Sequence, residues 1–591
     1  MTQISDYIIR FFEDKDIKHC FMLAGGAAMH LNDSLGQSNK IDYIACLHEQ
    51  AAGVAAEAYA RVTGKPPLVM VTSGPGGTNT VTAVAAAYIE STPMFVLSGQ
   101  VKRADMINGQ GIRQQGMQEV DMISIVKPIT KYAVCVTRPE KIKYHLQKAW
   151  HEATSGRPGP VWLDIPLDVQ ATQIDPDKLL GFTPRHDNSP APTMDEVGKI
   201  VDLLSLSKRP LLMLGNGIRL AGYADRAVEF AETLGIPVVT TWNGIDLIYD
   251  EHPLYFGRPG GVGQRAANFI QQNCDFLLTL GARLNLLQTG FAHESFAKNA
   301  TRCMVDIDSN ELKKSNVHPH VAICADAGKF MERLEAVLSK KNLGNYNDWF
   351  DYCCKILNDY PVMLNEYESE ANCVNSFEFI RALSETMAGN DIYVATSSGT
   401  AIDAAMCVFK VKKGQRVFST KGLASMGFDL PASIGASLAS GKRTICVTGD
   451  GGFQMNIQEL ETLKRLQLPV KIFILDNNGY AMIYNSHMGA FQGRLTGCTP
   501  KSGLTLPNCL EQARVYGIDT AEILTVSDFG KLEHIISGDK PLVCRVNVNI
   551  AQPLLPRQTS YRNKDGQMES LPLEFMKPPV SEIEMERIMI R

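Results

Sequence analysis

Twice along the chain an apolar, β-branched run enters a glycine-rich turn, passes into a helical pattern and returns as a second apolar run that opens on proline. The first copy is LVMVTSGPGG (68–77) followed by PMFVLSG (93–99); the second is TICVTGDGG (444–452) followed by PVKIFIL (469–475). Runs this apolar, without polar alternation, belong in sheets covered on both faces, and a strand–helix–strand unit sets its two strands parallel. The glycine pair and the later proline keep nearly the same spacing in both copies, which predicts two related domains. Short β-branched runs alternate with helical patterns elsewhere too, so the fold class is α/β, built from doubly wound parallel sheets.

At 591 residues the chain is too long for one core, given roughly 100–200 residues per domain. Proline- and asparagine-rich stretches at 183–193 and 343–347 read as linkers. They divide the chain into blocks at 1–180, 190–340 and 370–550, followed by a tail, 551–591, with no strand pattern that reads as a surface arm or a lid. The N-terminus predicts an amphipathic helix with Ile4, Ile8, Phe11 and Phe12 on one face.

Lys+Arg 58 against Asp+Glu 63 leaves a net charge of -5, which implies no basic face and no nucleic-acid partner. No apolar run approaches the roughly 20 residues that cross a bilayer, and no leader pattern opens the chain. Fourteen cysteines are scattered without any CxxC pair, so reduced thiols in a cytoplasmic setting are expected and zinc is not. His318 and His320 form a close pair in a loop-like setting and are not expected to hold a metal.

The second glycine turn carries chemistry. Gly449, Gly451 and Gly452 let backbone approach phosphate oxygens, and the helix that follows offers free N–H groups. Phosphate charge also needs a hard cation with oxygen ligands, which Asp450 and an Asn at the tip of the next strand supply. That strand ends in Asp476-Asn477-Asn478-Gly479, and parallel topology sets the two strand ends side by side. The pattern resembles the thiamine-diphosphate signature. Such a cofactor needs a carboxylate against its pyrimidine ring, and Glu49, opening an Ala-rich helix (49–61), offers one; a helix-start acid favoured by the dipole is the plainer reading of Glu49 taken alone.

On these residues the chain resembles the acetolactate synthase group of thiamine-diphosphate enzymes from residue 1 to about 550. The matching stretches are AGGA (24–27), EQAAG (49–53), TSGPGGTN (72–79), Gln118-Glu119, GRPGP (156–160), MGFDLP (426–431) and GDGGFQMNIQE (449–459). The resemblance implies a pyrimidine-binding domain, a central Rossmann-like domain and a diphosphate-binding domain. It implies that Glu49 activates the pyrimidine, that Pro75 and Asn79 line it, and that Met426 holds the cofactor bent. Asp450, Asn477 and the Gly479 carbonyl would hold Mg²⁺; Gly399 and Thr400 would lie along the diphosphate; Gly26 and Gln118 would face substrate. The implied assembly is a homodimer or homotetramer with active sites at the subunit interface. The implied reaction is decarboxylation of a 2-oxo acid, pyruvate in the first instance, with transfer of the two-carbon unit to a carbonyl acceptor.

By the same resemblance the middle block would hold FAD through Gly215, Gly217, Arg283 and Asp306, although Asn285-Leu286-Leu287 replaces the family's acidic pattern after Gly-Ala-Arg. Other departures cluster around the substrate. Ser398-Gly399-Thr400-Ala401 stands for Gly-Gln-His, Leu167 for a Lys, Met117 for a Phe and Ser486 for the Trp that shapes the acceptor pocket. A different acceptor is therefore expected, and the chain also looks like synthase homologues of surface-polysaccharide pathways that attach a two-carbon unit to a nucleotide-linked keto-sugar. His30 and His487 are polar groups that could meet such an acceptor or be ordinary satisfied histidines. Two alternatives remain: a simple 2-oxo-acid decarboxylase, and a catalytically silent partner subunit.

Overall fold

The computed structural model describes residues 1–184, 189–339, 343–396 and 399–590. Residues 185–188 of the first predicted linker, and Ser398 of the substituted loop, lie outside the described residues.

Three parallel sheets form, as the alternating pattern predicts. The first has six strands in the spatial order Asp42–Ala45, His19–Met22, Leu68–Val71, Met94–Gln100, Pro160–Pro166 and Tyr132–Cys135. The last has Arg416–Phe418, Ile392–Ala395, Thr444–Gly449, Val470–Asp476, Leu542–Asn547 and Asp519–Ile523. Numbered along the chain within each sheet, both read 2-1-3-4-6-5, so the paired motif reflects a shared topology. The central sheet reads 2-1-3-4-5: Val238–Thr240, Pro210–Leu214, Phe276–Leu280, Thr301–Asp306 and Val321–Cys324. Strands at the middle of each sheet lie under helices on both faces, and all four residues of Leu68–Val71 are buried.

The Ala-rich helix Glu49–Thr63 packs between Pro75–Glu90 of its own domain and Asp429–Ser440 of the last. Alanine makes this possible: a side chain at Gly435 would strike the Ala55 carbonyl, so the two helices touch backbone to backbone. The N-terminal helix Ile4–Asp14 buries Ile4, Ile8, Ile9 and Phe12, while Phe11 is half-buried, edge-on to Trp150.

The tail differs from expectation. Arg557–Gln558 pairs antiparallel with Met576–Lys577, Ser560–Arg562 with Met568–Ser570, and Glu582–Ile588 is a helix. Strands of two or three residues are too short to leave a periodic signal. The tail is an arm docked on the central domain: Leu573 and Ile588 join Phe269 and Trp349 in one core. The Gln558 N–H donates to the Gly261 carbonyl (2.9 Å) and Gln272 Nε2 to the Glu574 carboxylate (2.6 Å). Among the described residues no helix is long and apolar enough to cross a membrane.

Candidate active site

Strands Thr444–Gly449 and Val470–Asp476 lie in register with Gly449 opposite Leu475, so the Asp450 turn and the Asn477 turn share one sheet edge. Asp450 is 6% exposed. Its Oδ1 accepts the Gly451 N–H (2.8 Å), and its Oδ2 accepts those of Asn477 (3.2 Å) and Gly479 (3.0 Å). Burial nevertheless pushes its carboxyl up to about 7, the three N–H groups opposing and Asp476 adding to the rise. Asn477 Oδ1 is buried without a hydrogen-bond partner. A carboxylate short of compensating charge beside an orphaned amide oxygen is the donor set a hard divalent cation takes. Both line a cleft of about 400 Å³ with Gln454, Asp476 and Asn508.

The glycines divide by role. Gly449 and Gly399 (φ 87°) border open space, as a phosphate cradle requires. Gly451 and Gly452 are glycine because of packing: a Cβ on Gly451 would strike the Tyr480 ring and on Gly452 would lie 2.9 Å from Thr448 Oγ1. A side chain on Gly479 would strike the Cys498 carbonyl. Thr400 opens the helix Thr400–Val408 and is buried. Met426 Cε lies 3.3 Å from the position of a Gly451 Cβ, and its turn is braced by Asn456 Nδ2, which donates to the Gly427 carbonyl (2.8 Å).

On the first domain, Gly26, Glu49, Pro75 and Gln118 each follow a strand of the sheet at its carboxyl edge. Glu49 is 7% exposed, and its Oε2 accepts a hydrogen bond from Asn79 Nδ2 at 3.0 Å. Pro75 takes the first helical position of Pro75–Glu90. Gly26 is exposed to open space in a turn held from below: the Ala27 N–H donates to Thr72 Oγ1 (3.2 Å) and Gln170 Nε2 donates to the Ala27 carbonyl (2.7 Å). In sequence, Gln170 is only the end of the stretch Pro166-Leu-Asp-Val-Gln170, with no role attached. Gln118 is exposed at φ 62°. The candidates thus form two clusters, one per outer domain. Among the described residues no hydrogen bond joins Glu49, Asn79 or Gln118 to Asp450, Asn477 or Met426.

In the central domain the strand order reverses between Pro210–Leu214 and Phe276–Leu280, the point where open α/β sheets bind ligands. A cavity of about 130 Å³ lies there, reached by all three domains through Glu90 and Arg157, Gly217 and Asp306, and Lys421. Gly215 and Gly217 lie at this edge of the sheet. Their N–H groups donate to the Leu280 and Gly281 carbonyls, and a Cβ on Gly215 would strike the Gly281–Ala282 backbone. They serve close backbone packing and offer no free donor to a phosphate. Arg283, at φ 51°, reaches across to the Ile89 carbonyl of the first domain. Burial raises the Asp306 carboxyl against the Asp308 N–H and Arg157. The cavity's unsatisfied groups are Asn216 Oδ1, Trp242 Nε1 and Asn243 Oδ1, all buried without partners. Asn216, between the two glycines, was the signal there to be read. Arg258 is absorbed in structure: it donates to the Met406 (2.8 Å) and Phe409 (2.7 Å) carbonyls and pairs with Asp250.

The two outer domains share one topology, and each carries a buried carboxylate at the carboxyl edge of its sheet, Glu49 at a helix start and Asp450 beside an orphaned amide oxygen. Three family models match the chain: thiamine pyrophosphate enzyme, N-terminal TPP binding domain (residues 2–125), central domain (197–334) and C-terminal TPP binding domain (398–546). The chain is 31% identical over 554 residues to the acetolactate synthase isozyme 1 large subunit of Escherichia coli, covering 93% of this chain and 95% of that protein. It is 31% identical over 607 residues to a probable acetolactate synthase large subunit of Methanocaldococcus jannaschii (99% and 98% covered), and 31% over 561 residues to that of Lactococcus lactis (94% and 94%). The chain belongs to the thiamine pyrophosphate enzyme family, as an acetolactate-synthase-like member.

Proposed function

We propose that the protein is a carboligase that decarboxylates a 2-oxo acid, pyruvate in the first instance, and transfers the two-carbon unit to a carbonyl acceptor. When bound, thiamine diphosphate supplies the carbanion chemistry that breaks one carbon–carbon bond and makes another. The chain's own part is positioning and proton handling. Asp450, Asn477 and the Gly479 carbonyl hold Mg²⁺ against the diphosphate, Gly399, Thr400 and Gly449 line its path, and Met426 limits the cofactor's conformation. Asn79 occupies Oε2 of Glu49 and leaves Oε1 to exchange a proton with the pyrimidine ring. Gly26 and Gln118 leave neutral, open space for the substrate, an arrangement that favours ligation over simple decarboxylation.

Glu49 of one protomer faces the diphosphate edge of its partner in this reading, and the assembly is a homodimer or a pair of dimers. Exposed apolar side chains around both clusters support it: Met29, Leu47 and Met117 on the first domain, Met455, Ile483 and Met488 on the last. The domain limits are those at 180–190 and 340–370, with the tail as a docked arm, and fourteen free cysteines support a reducing, cytoplasmic compartment.

FAD is proposed for the central cavity, held by Asp306 and the unpartnered groups of Asn216, Trp242 and Asn243. The enclosed space holds about one ring system, so the rest of the molecule would lie in its opening. A nucleotide-linked keto-sugar is the second acceptor reading, favoured by Ser486, exposed on the helix Ala481–Ala490 where a Trp would close the pocket.

The observation that carries the reading is the buried Asp450 carboxylate beside the orphaned Asn477 oxygen. Incubating the protein with thiamine diphosphate, Mg²⁺, pyruvate and candidate acceptors, with products identified by mass, tests it. A ligated product is expected; carbon dioxide and free aldehyde alone, or no turnover, would overturn it.

A further inference from the structure

The loop 101–121 carries Gln118, and the roles above leave its buried neighbour Glu119 and the buried Asp164 unused. Glu119 Oε1 accepts the N–H of Ile107 (2.6 Å), and its Oε2 accepts those of Gln115 (3.1 Å) and Gly116 (3.0 Å). Burial alone would raise this carboxyl, yet the three backbone donors hold it below its ordinary value. One side chain therefore staples three points of the loop. On the other side of Gln118, the Val120 carbonyl accepts Gln100 Nε2 (3.0 Å), which also donates to Asp164 Oδ2 (2.9 Å). Asp164 Oδ1 accepts Ser98 Oγ (2.6 Å), and Trp162 Nε1 donates to that hydroxyl (2.7 Å). Gln100 Oε1 accepts the Val101 N–H at the loop's start (2.9 Å).

Between these two anchors Gln118 sits at φ 62°, a left-handed conformation that a glutamine does not adopt without restraint. Its carbonyl oxygen lies 2.6 Å from where a Cβ on Gly74 would stand, so the loop closes on the turn that opens at Thr72-Ser-Gly-Pro75. The network reaches from the centre of the first sheet to the exposed residue at its carboxyl edge.

We infer that Glu119, Gln100 and Asp164 are positioning residues that hold the backbone on both sides of Gln118 and so aim its side chain at the 2-oxo acid. This rests on the reading of Gln118 as a substrate-facing residue. A loop merely folded for stability would couple to thermal denaturation and not to substrate; a positioning network acts through Gln118 and couples to KM.

Steady-state kinetics on the full chain, loaded with thiamine diphosphate and Mg²⁺, with pyruvate varied, tests the inference in Gln118→Ala, Glu119→Gln, Gln100→Leu and the Gln118→Ala/Glu119→Gln double variant. Cofactor affinity by fluorescence titration reports whether each variant is folded. Gln118→Ala and Glu119→Gln should each raise KM about tenfold while leaving cofactor affinity unchanged. Gln100→Leu, which cuts the links to Val120, Val101 and Asp164 and keeps Glu119, should raise KM in the same direction. The double variant should be no worse than Gln118→Ala alone. A raised KM in Gln118→Ala with an unchanged KM in both Glu119→Gln and Gln100→Leu overturns the inference by itself. An unchanged KM in Gln118→Ala removes the substrate-facing reading and the inference with it.

Discussion

Asn477 Oδ1 is a buried acceptor with no donor, next to a carboxylate that already takes three N–H groups. An unmatched buried polar group costs roughly 1–3 kcal/mol, and a cation placed between the two relieves both. Asp450→Ala should therefore weaken Mg²⁺-dependent cofactor binding by at least about tenfold, or ~1.4 kcal/mol, in a titration of the diphosphate cofactor. Equal affinity in the variant would contradict the assignment. Residues of this kind were legible because the chemistry demands a given type at a given spacing: Asp450 in its turn, Asn477 at the next strand tip, Glu49 at a helix start. The positioning roles of Gln170 and Asp164 were not, because their partners, the Ala27 carbonyl and the Ser98 and Gln100 side chains, lie 64 or more residues away, and any polar residue looks alike until the chain is folded.

At the scale of elements, the legible parts were those buried on both faces. Leu68–Val71 and Thr444–Gly449 read as strands because they are short β-branched, apolar runs, and their shared turn pointed to two related domains, which prove to share the 2-1-3-4-6-5 order. The tail's short strands and docked helix carry no such period. A glycine demanded by a neighbouring backbone, as at Gly215 and Gly217, looks the same in sequence as one demanded by a phosphate. Contact between the helices Glu49–Thr63 and Asp429–Ser440 depends on one missing side chain. Gly435→Ala would push a methyl group into the Ala55 carbonyl. A loss of about 1–3 kcal/mol follows from such overpacking, to be read as a lower denaturation midpoint in urea, with Gly198→Ala, inside the helix Met194–Leu206 and facing open space, as a control for helix propensity. A midpoint unchanged in Gly435→Ala would mean the helices can separate freely.

Across the whole molecule, buried charges tie the domains together. Asp246 of the central domain pairs with Arg219 (2.8 Å) and with Arg416 of the last domain (2.7 Å), and Arg416 donates to the Arg61 carbonyl of the first (3.2 Å). Burial would raise the Asp246 carboxyl, but the two guanidinium groups bring it below its ordinary value. Its contribution to stability is thus complete above the unfolded carboxylate pKa of about 3.9 and is lost as pH falls through the lower folded value. Asp246→Ala would leave two partly buried guanidinium groups without their buried counter-ion, a loss of at most about 3 kcal/mol at neutral pH. Thermal denaturation near neutrality should show the loss, and the gap to the unaltered protein should narrow in strong acid; a constant gap would contradict the linkage.

The same scale holds the central claim, that each active site joins Glu49 of one protomer to the Asp450 edge of its partner. Co-expressing Glu49→Gln with Asp450→Ala, at a cofactor concentration too low for either to turn over alone, measures it directly through carbon dioxide release from pyruvate. In a mixed dimer one of the two sites receives both intact residues, so random assembly should restore about a quarter of the unaltered activity. No activity above that of either variant alone, from a preparation shown to contain mixed dimers, would place both groups in one chain and contradict the account.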